Sequence, residues 1–227
     1  MYPNSQSDVS RRLQSMAPGH GTSGPIPRAR STLSDTVKLT DTARFDTLCI
    51  HAGQVPDPST GAVVTPIYQT STYVQDALGQ HKGYEYARTQ NPTRAAMEAN
   101  IAALEGGAAA LGLASGQAAE TLAILNLART GDNIVASSSL YGGTYNLLNY
   151  TLPKIGITTT FVDGTNPQAF GAAINDRTKA VFLELIGNPR LDVHDLQAIA
   201  DVAHSKGVPV IVDNTFAPLI AQPLKNG

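Results

Sequence analysis

Short runs of consecutive apolar residues alternate with stretches whose apolar residues recur every three to four positions, from residue 109 onward. The short runs predict buried strands, and the other stretches predict helices packed on them. The predicted strands cover residues 109–114, 133–137, 158–162, 180–185 and 208–212. The predicted helices cover residues 117–129, 143–154, 167–174 and 192–205. This rhythm predicts an α/β domain over residues 93–227, with a mainly parallel sheet and helices on both faces.

The chain ahead of this alternation divides into a tail, an arm and a first helix. Residues 1–42 are rich in Ser, Pro, Gly and Arg and show no sustained period, so we expect a disordered tail. Its arginines resemble those of an organelle transit peptide, but its weak helical amphipathicity favours a solvated tail. Residues 43–92 are broken by glycines and prolines, which exclude long helices and indicate an extended arm. Residues 93–104 predict a helix between an Asn-Pro pair and a Gly-Gly pair.

Composition and charge exclude several classes of function. The chain has 16 basic and 18 acidic residues, so it lacks the basic face expected of a nucleic-acid or membrane-surface protein. No apolar run approaches the roughly 18 residues that a transmembrane helix needs. The single cysteine, Cys49, excludes an intrachain disulfide and favours a reducing, cytoplasmic location. We interpret Cys49 as an inert small side chain, and we predict no metal site.

Polar residues follow the first two predicted strands, at the positions where sheets of this kind bind ligands. Ser115-Gly116-Gln117 opens a helix, whose free N–H groups suit a phosphate. A glycine at such a junction is also an ordinary turn, and that alternative stays open. Tyr141 stands beside two glycines after the second strand. Its ring is either a core aromatic or a flat platform for a ligand ring.

Carboxylates mark the ends of the later strands. Glu184 lies in the fourth, and the Asn188-Pro189 pair that follows is both a turn signal and a possible donor to a ligand oxygen. Asp213 directly follows the last apolar run, where a carboxylate needs a cationic ring nitrogen or a structural arginine as its partner. The glycine fingerprints of dinucleotide and nucleoside-triphosphate sites do not occur, which removes the best support for those two readings.

A segment dense in tyrosine and arginine lies upstream of the first predicted helix. Tyr86 and Arg88 are two residues apart, so they face the same side of an extended segment. An arginine beside a phenol suits a phosphate dianion. A solvated hairpin rim is the alternative.

Several motifs together resemble those of the Cys/Met metabolism family of pyridoxal-phosphate enzymes. The motifs are Tyr86-x-Arg88-x-x-Asn91-Pro92-Thr93, Ala114-Ser115-Gly116, Tyr141-Gly142-Gly143-Thr144-Tyr145, Gly187-Asn188-Pro189 and Val212-Asp213-Asn214-Thr215-Phe216. The resemblance extends from about Phe45 to Gly227 and implies the aspartate-aminotransferase-like fold, fold type I. Within the family, Gln117 and the arm around His51 and Tyr68 are similar to the O-acetylhomoserine sulfhydrylase branch.

The resemblance implies roles for individual residues. Gly116 and Gln117 would offer backbone N–H groups to the cofactor phosphate, and Tyr141 would stack on the pyridine ring. Asp213 would keep the ring nitrogen protonated, and Asn188 would contact the ring hydroxyl. The implied cofactor-binding residues are Tyr86, Arg88, Ser115, Gly116, Gln117, Tyr141, Glu184, Asn188, Asp213 and Thr215, and the implied catalytic residues are Tyr86 and Tyr141. Tyr86 and Arg88 would reach the phosphate of a neighbouring subunit, which implies a homo-oligomer, a dimer of dimers.

The implied reaction is a γ-replacement, in which sulfide or methanethiol displaces acetate from O-acetylhomoserine to give homocysteine or methionine. The family's Schiff-base lysine lies in a Ser-x-x-Lys motif after the Asp-x-Thr segment. None of Lys38, Lys82, Lys154, Lys179, Lys206 and Lys225 stands in such a motif. We therefore expect an N-terminal fragment that is inactive alone. The alternatives are γ-synthase or γ-lyase chemistry, or a non-catalytic partner of full-length subunits.

Overall fold

The helices and strands follow the predicted alternation. The computed structural model describes residues 43–225, so the predicted disordered tail over residues 1–42 lies outside the described residues. The helices are α1 (Phe45–His51), α2 (Pro92–Glu105), α3 (Gly116–Leu127), α4 (Gly142–Asn146), α5 (Pro167–Ala173) and α6 (Leu196–Ser205). The strands are β1 (Gln75–Ala77), β2 (Gln80–His81), β3 (Asn133–Ser137), β4 (Thr158–Val162), β5 (Thr178–Glu184) and β6 (Val210–Asp213).

A four-stranded parallel sheet in the order β4-β3-β5-β6 forms the centre of the described domain. Side chains alternate between its two faces, because successive strand residues point in opposite directions. Phe182 packs with α3 through Ile124, and with the π-helical turn that follows α4 through Leu148, on one face. Val181 packs with α5 and α6 through Phe170 and Ile199 on the other. The predicted parallel sheet with helices on both faces is confirmed.

One predicted strand, over residues 109–114, is wrong. The segment is not a strand, and no strand among residues 43–225 pairs with it. The backbone N–H of Gly112 donates instead to the Glu98 side chain at 2.8 Å. An apolar run forms a strand only where a neighbouring backbone completes the ladder, and the described residues offer none here.

Local hydrogen bonds set the ends of the helices. The Asn91 side chain caps α2 by accepting from the N–H groups of Thr93 and Arg94, and Gly106 ends α2 with φ of 71°. The helix predicted over residues 192–205 begins only at Leu196, because Asp195 caps α6. The helix predicted over residues 143–154 is correct in extent but not in type. It is α4, followed by a π-helical turn over Leu147–Thr151 and a 3-10 turn over Leu152–Ile155.

The arm is less extended than the sequence predicts, because it contains α1 and the β1–β2 pair. The side-chain amide of Asn100 in α2 donates to the backbone oxygens of Leu48 and Ala52 at 3.0 and 2.9 Å, which attaches α1 to α2. Large apolar side chains of the arm are exposed, among them those of Ile67 and Val74. Among the helices of the described part, none is long and apolar enough to span a bilayer.

Candidate active site

Three carboxylates converge at the carboxyl end of the parallel sheet. Glu184 and Asp213 end β5 and β6 and are direct partners in the ladder. They point to the sheet face that carries α3, because they follow Phe182 and Ile211 at a spacing of two. Glu120 of α3 approaches from that face, where its side chain contacts Asp213. The prediction that Glu184 and Asp213 lie at neighbouring strand ends is confirmed, whereas the sequence did not single out Glu120.

Glu120 is held in a buried polar network and is only 8% exposed. The hydroxyl of Thr144 donates to its carboxyl oxygens at 2.9 and 3.0 Å, and the Gln117 amide donates at 2.9 Å. Burial is the main cause that raises the pKa of Glu120 to about 7, and Thr144 opposes it. A side-chain hydrogen bond with Asp213 and the charges of Asp213 and Glu184 raise it further. Glu120 is therefore a carboxyl group that titrates near neutral pH.

Glu184 connects the loops that follow β3 and β5. One carboxyl oxygen accepts from the backbone N–H of Tyr141 at 2.5 Å, and the other accepts from the backbone N–H of Asn188 at 3.1 Å. The residue is 4% exposed. Burial raises the pKa of Glu184 and the charge of Asp213 adds to that, while the two N–H donors oppose the rise. Glu184 thus fixes the backbone of two residues implied to contact the cofactor ring.

Asp213 is oriented by its own loop. One of its carboxyl oxygens accepts from the Thr215 N–H at 2.8 Å and from the Thr215 hydroxyl at 2.5 Å. Within residues 43–225, no ion pair joins Asp213, Glu120 or Glu184 to a basic side chain. The structural arginine considered as an alternative partner of Asp213 is therefore not found there. A cationic ligand group would fit this cluster.

The start of α3 adjoins the carboxylates and is open on its outer side. The Ser115 hydroxyl accepts from the Ala118 N–H at 3.2 Å, which caps α3. A Cβ on Gly116 would meet nothing within 4 Å, so space lies in front of the first-turn N–H groups. Gly116, Glu120, Asp213 and Thr215 line a cavity of about 540 Å³. An anionic group at the helix start and a cationic ring beside Asp213 match this arrangement.

Tyr141 is 52% exposed and stands at the start of α4. Because of this exposure, Tyr141 is a surface aromatic. A Cβ on Gly143 would lie 2.6 Å from the Tyr141 ring, so the ring can occupy its place only because residue 143 is glycine. The exposure is compatible with a platform for a ligand ring, and that role of Tyr141 stays a prediction.

Tyr86 and Arg88 contact each other in the arm. The Arg88 guanidinium lies 5.2 Å from the centre of the Tyr86 ring and donates to its hydroxyl at 3.4 Å. No hydrogen bond or ion pair found in the described part joins either residue to the carboxylates. Their role toward a neighbouring subunit's phosphate stays a prediction.

Several lysines in the described part contact residues other than the three carboxylates. Lys179 faces Asp132 at 3.9 Å, Lys206 donates to the Gly171 oxygen at 2.7 Å, and Lys225 packs beside Gly106. No lysine of residues 43–225 hydrogen-bonds to Glu120, Glu184 or Asp213. Lys225 thus has no contact that would support it as a substitute for the Schiff-base lysine.

Comparisons with known proteins agree with this geometry. A family described as "Cys/Met metabolism PLP-dependent enzyme" matches residues 46–227. The O-acetyl-L-homoserine sulfhydrylase of Leptospira meyeri is 49% identical over an alignment of 191 residues that covers 80% of this chain and 43% of the relative. The cystathionine gamma-lyase of Bacillus subtilis is 48% identical over 182 residues, 80% of this chain and 48% of the relative.

A solved structure also matches. The cystathionine gamma-lyase from Lactobacillus plantarum, complexed with L-serine, is 44% identical and has a TM-score of 0.78, covering 82% of this chain and 48% of that one. The predicted fold type I is therefore confirmed, and the chain spans about half the length of the relatives it matches. The chain belongs to the Cys/Met metabolism family of pyridoxal-phosphate-dependent enzymes.

Proposed function

We propose that this chain forms the cofactor-binding part of an enzyme of γ-replacement. The proposed reaction is that of O-acetylhomoserine with sulfide or methanethiol, which gives homocysteine or methionine and acetate. The observation that carries the proposal is the pair Glu184 and Asp213 at adjacent strand ends, beside the open start of α3. The similarity to the Leptospira meyeri sulfhydrylase supports the choice of substrates.

The described residues have distinct tasks in this proposal. Asp213, oriented by Thr215, would hold the proton on the ring nitrogen, and the N–H groups of Gly116 and Gln117 would bind the phosphate. Tyr141 would cover one ring face, because Glu184 fixes its backbone. Asn188 would contact the ring hydroxyl. Bound pyridoxal phosphate supplies an electron sink, which makes the substrate protons next to the bound amino group acidic.

Catalysis would require a Schiff-base lysine that these 227 residues do not place in the family's motif. No Ser-x-x-Lys motif follows the Asp-x-Thr segment within the 227 residues. We propose that the chain alone does not turn over substrate and that the complete enzyme is a homo-oligomer. The arm over residues 43–92, with Tyr86 and Arg88, would contribute to its subunit interface. The exposed apolar side chains of the arm support this assignment.

Lyase or synthase chemistry on the same site is the second candidate. The Bacillus subtilis relative, a cystathionine gamma-lyase, is nearly as similar as the sulfhydrylase. The two reactions are separated by assaying a longer protein that contains this chain. Homocysteine formation from O-acetylhomoserine and sulfide supports the first proposal. Cleavage of cystathionine without that activity supports the second.

The cofactor site is testable on the 227-residue chain itself. Pyridoxal phosphate is titrated into the wild type, Asp213→Asn and Asp201→Asn, and binding is followed by calorimetry. Asp201 is an exposed carboxylate on α6 and serves as the matched control. We expect Asp213→Asn to weaken binding about tenfold or more, because a charged hydrogen bond is lost. Equal affinity of all three proteins would contradict the proposed site.

A further inference from the structure

A buried histidine lies between the ends of two central strands. His194 is 3% exposed and belongs to the loop ahead of α6. Its Nε2 atom lies 3.1 Å from the hydroxyl oxygen of Ser137, the last residue of β3. Its Nδ1 atom lies 2.6 Å from the backbone oxygen of Glu184, the last residue of β5. The imidazole therefore bridges the carboxyl ends of neighbouring strands.

The direction of each hydrogen bond follows from the partners. A carbonyl oxygen only accepts, so Nδ1 carries a hydrogen and donates to Glu184. In a neutral imidazole the other nitrogen then accepts, which makes the Ser137 hydroxyl its donor. The Ser137 oxygen in turn accepts from the Ser139 N–H at 3.1 Å. A continuous series of bonds thus runs from Ser139 to Glu184 through His194.

The space around this imidazole is filled. A Cβ on Gly164, in the loop after β4, would overlap both the Nε2 atom of His194 and the hydroxyl of Ser137. The ends of three adjacent strands therefore enclose the same ring. An imidazole packed in this way has little freedom to turn or shift.

The same residues lead directly to the cofactor site. The Glu184 backbone oxygen accepts from His194, and the Glu184 carboxylate accepts from the N–H groups of Tyr141 and Asn188. Ser139, at the other end of the series, stands two residues before Tyr141. Both routes from His194 end on the segments that carry the ring contacts. We propose that His194 is a positioning residue that sets Tyr141 and Asn188 for the cofactor ring, an inference that rests on the proposed function.

The first test needs no cofactor. His194→Phe keeps a planar ring and removes both hydrogen bonds, and amide hydrogen exchange is measured at Tyr141 and Asn188. We expect exchange at these two amides to accelerate about tenfold relative to core amides such as that of Val135, because one buried hydrogen bond is weakened. His51→Phe, at an exposed histidine of α1, is the matched control and should change neither amide.

The second test uses pyridoxal phosphate and has a spectroscopic readout. We expect about tenfold weaker binding and a smaller induced circular dichroism of the bound ring in His194→Phe. His194→Asn, whose amide can still donate to Glu184, should restore part of both. If His194→Phe does not fold, Ser137→Ala breaks the same series of hydrogen bonds with a smaller change in structure. It should show the same changes in amide exchange, affinity and circular dichroism.

The outcomes separate the two proposals. A lower melting temperature with unchanged exchange, affinity and dichroism would overturn the positioning role and leave the cofactor site intact. Asp213→Asn binding as well as the wild type would overturn the proposed function. In that case, faster exchange at Tyr141 and Asn188 in His194→Phe would still establish the positioning of the two loops.

Discussion

Replacing Glu120 by glutamine should flatten the pH dependence of the unfolding free energy. The carboxyl group is buried beside Asp213 and Glu184, and its pKa is raised from 4.5 to about 7, mainly by burial. In the unfolded chain the same group would titrate at its ordinary pKa. Between these two pH values the folded protein therefore holds a proton that the unfolded chain has released.

The sign and size follow from proton linkage. The free energy of unfolding falls with rising pH wherever the folded state binds more protons than the unfolded state. Glu120 thus contributes stability that is fully present below pH 4.5 and lost as pH rises through about 7. The pKa shift of Glu120 corresponds to a change of about 3 kcal/mol in the free energy of unfolding between these two pH values. Glu184 adds to the same slope, because its pKa is also raised.

Glutamine matches the carboxyl group in shape and carries no charge at any pH. Its amide oxygen can still accept from the Thr144 hydroxyl, and its amide nitrogen can take over the hydrogen bond between Glu120 and Asp213. We expect Glu120→Gln to be more stable than the wild type at pH 8 by up to about 3 kcal/mol, and no more stable at pH 5.

Urea unfolding followed by circular dichroism between pH 4.5 and 8.5 measures this difference. Asp176→Asn serves as the control, because it removes an equivalent charge from an exposed position between α5 and β5. Its stability curve should run parallel to that of the wild type. A parallel curve for Glu120→Gln as well would refute the reasoning, since it would show that Glu120 ionises alike in both states.

Further substitutions test the packing and the caps. Gly164→Ala should destabilise the domain by about 1–3 kcal/mol in thermal unfolding, because its methyl group would overlap His194. Gly142→Ala, where a Cβ meets nothing within 4 Å, is its control, and equal losses would contradict the close contact. Asn91→Ala should cost about 1 kcal/mol in urea unfolding through loss of the α2 cap. No loss would mean that water replaces the cap without cost.

The central sheet could be predicted from sequence because its signals are local. The strands over residues 133–137 and 158–162 are short runs of residues that favour strands, and each run is bounded by turns. Both were predicted with the bounds observed. The run over residues 109–114 carries the same local signal and forms no strand. The difference lies in the neighbours, since pairing depends on backbone groups elsewhere in the chain, which a local pattern does not contain.

The residues of the candidate site also fall into two groups, those predictable from sequence and those brought together only by tertiary packing. Glu184 and Asp213 were predicted together because parallel strands bring their carboxyl ends to one edge. Glu120 was visible only as one carboxylate in a predicted helix, and its approach to Asp213 depends on how α3 packs on the sheet. His194 and Ser137 are 57 positions apart, and no spacing rule connects them. Tertiary packing alone brings such pairs together.

We expect the carboxylates to couple binding of the proposed cofactor to release of a proton. Glu120 keeps its proton near neutral pH partly because Asp213 beside it is negative. A cationic ring held against Asp213, as proposed above, would offset that charge and lower the pKa of Glu120. Binding near pH 7 would then release a proton from Glu120, which calorimetry in buffers of different ionisation enthalpy detects. Glu120→Gln should bind with less proton release, because it has no proton to lose there. Identical release in both proteins would show that the ring does not act on Glu120.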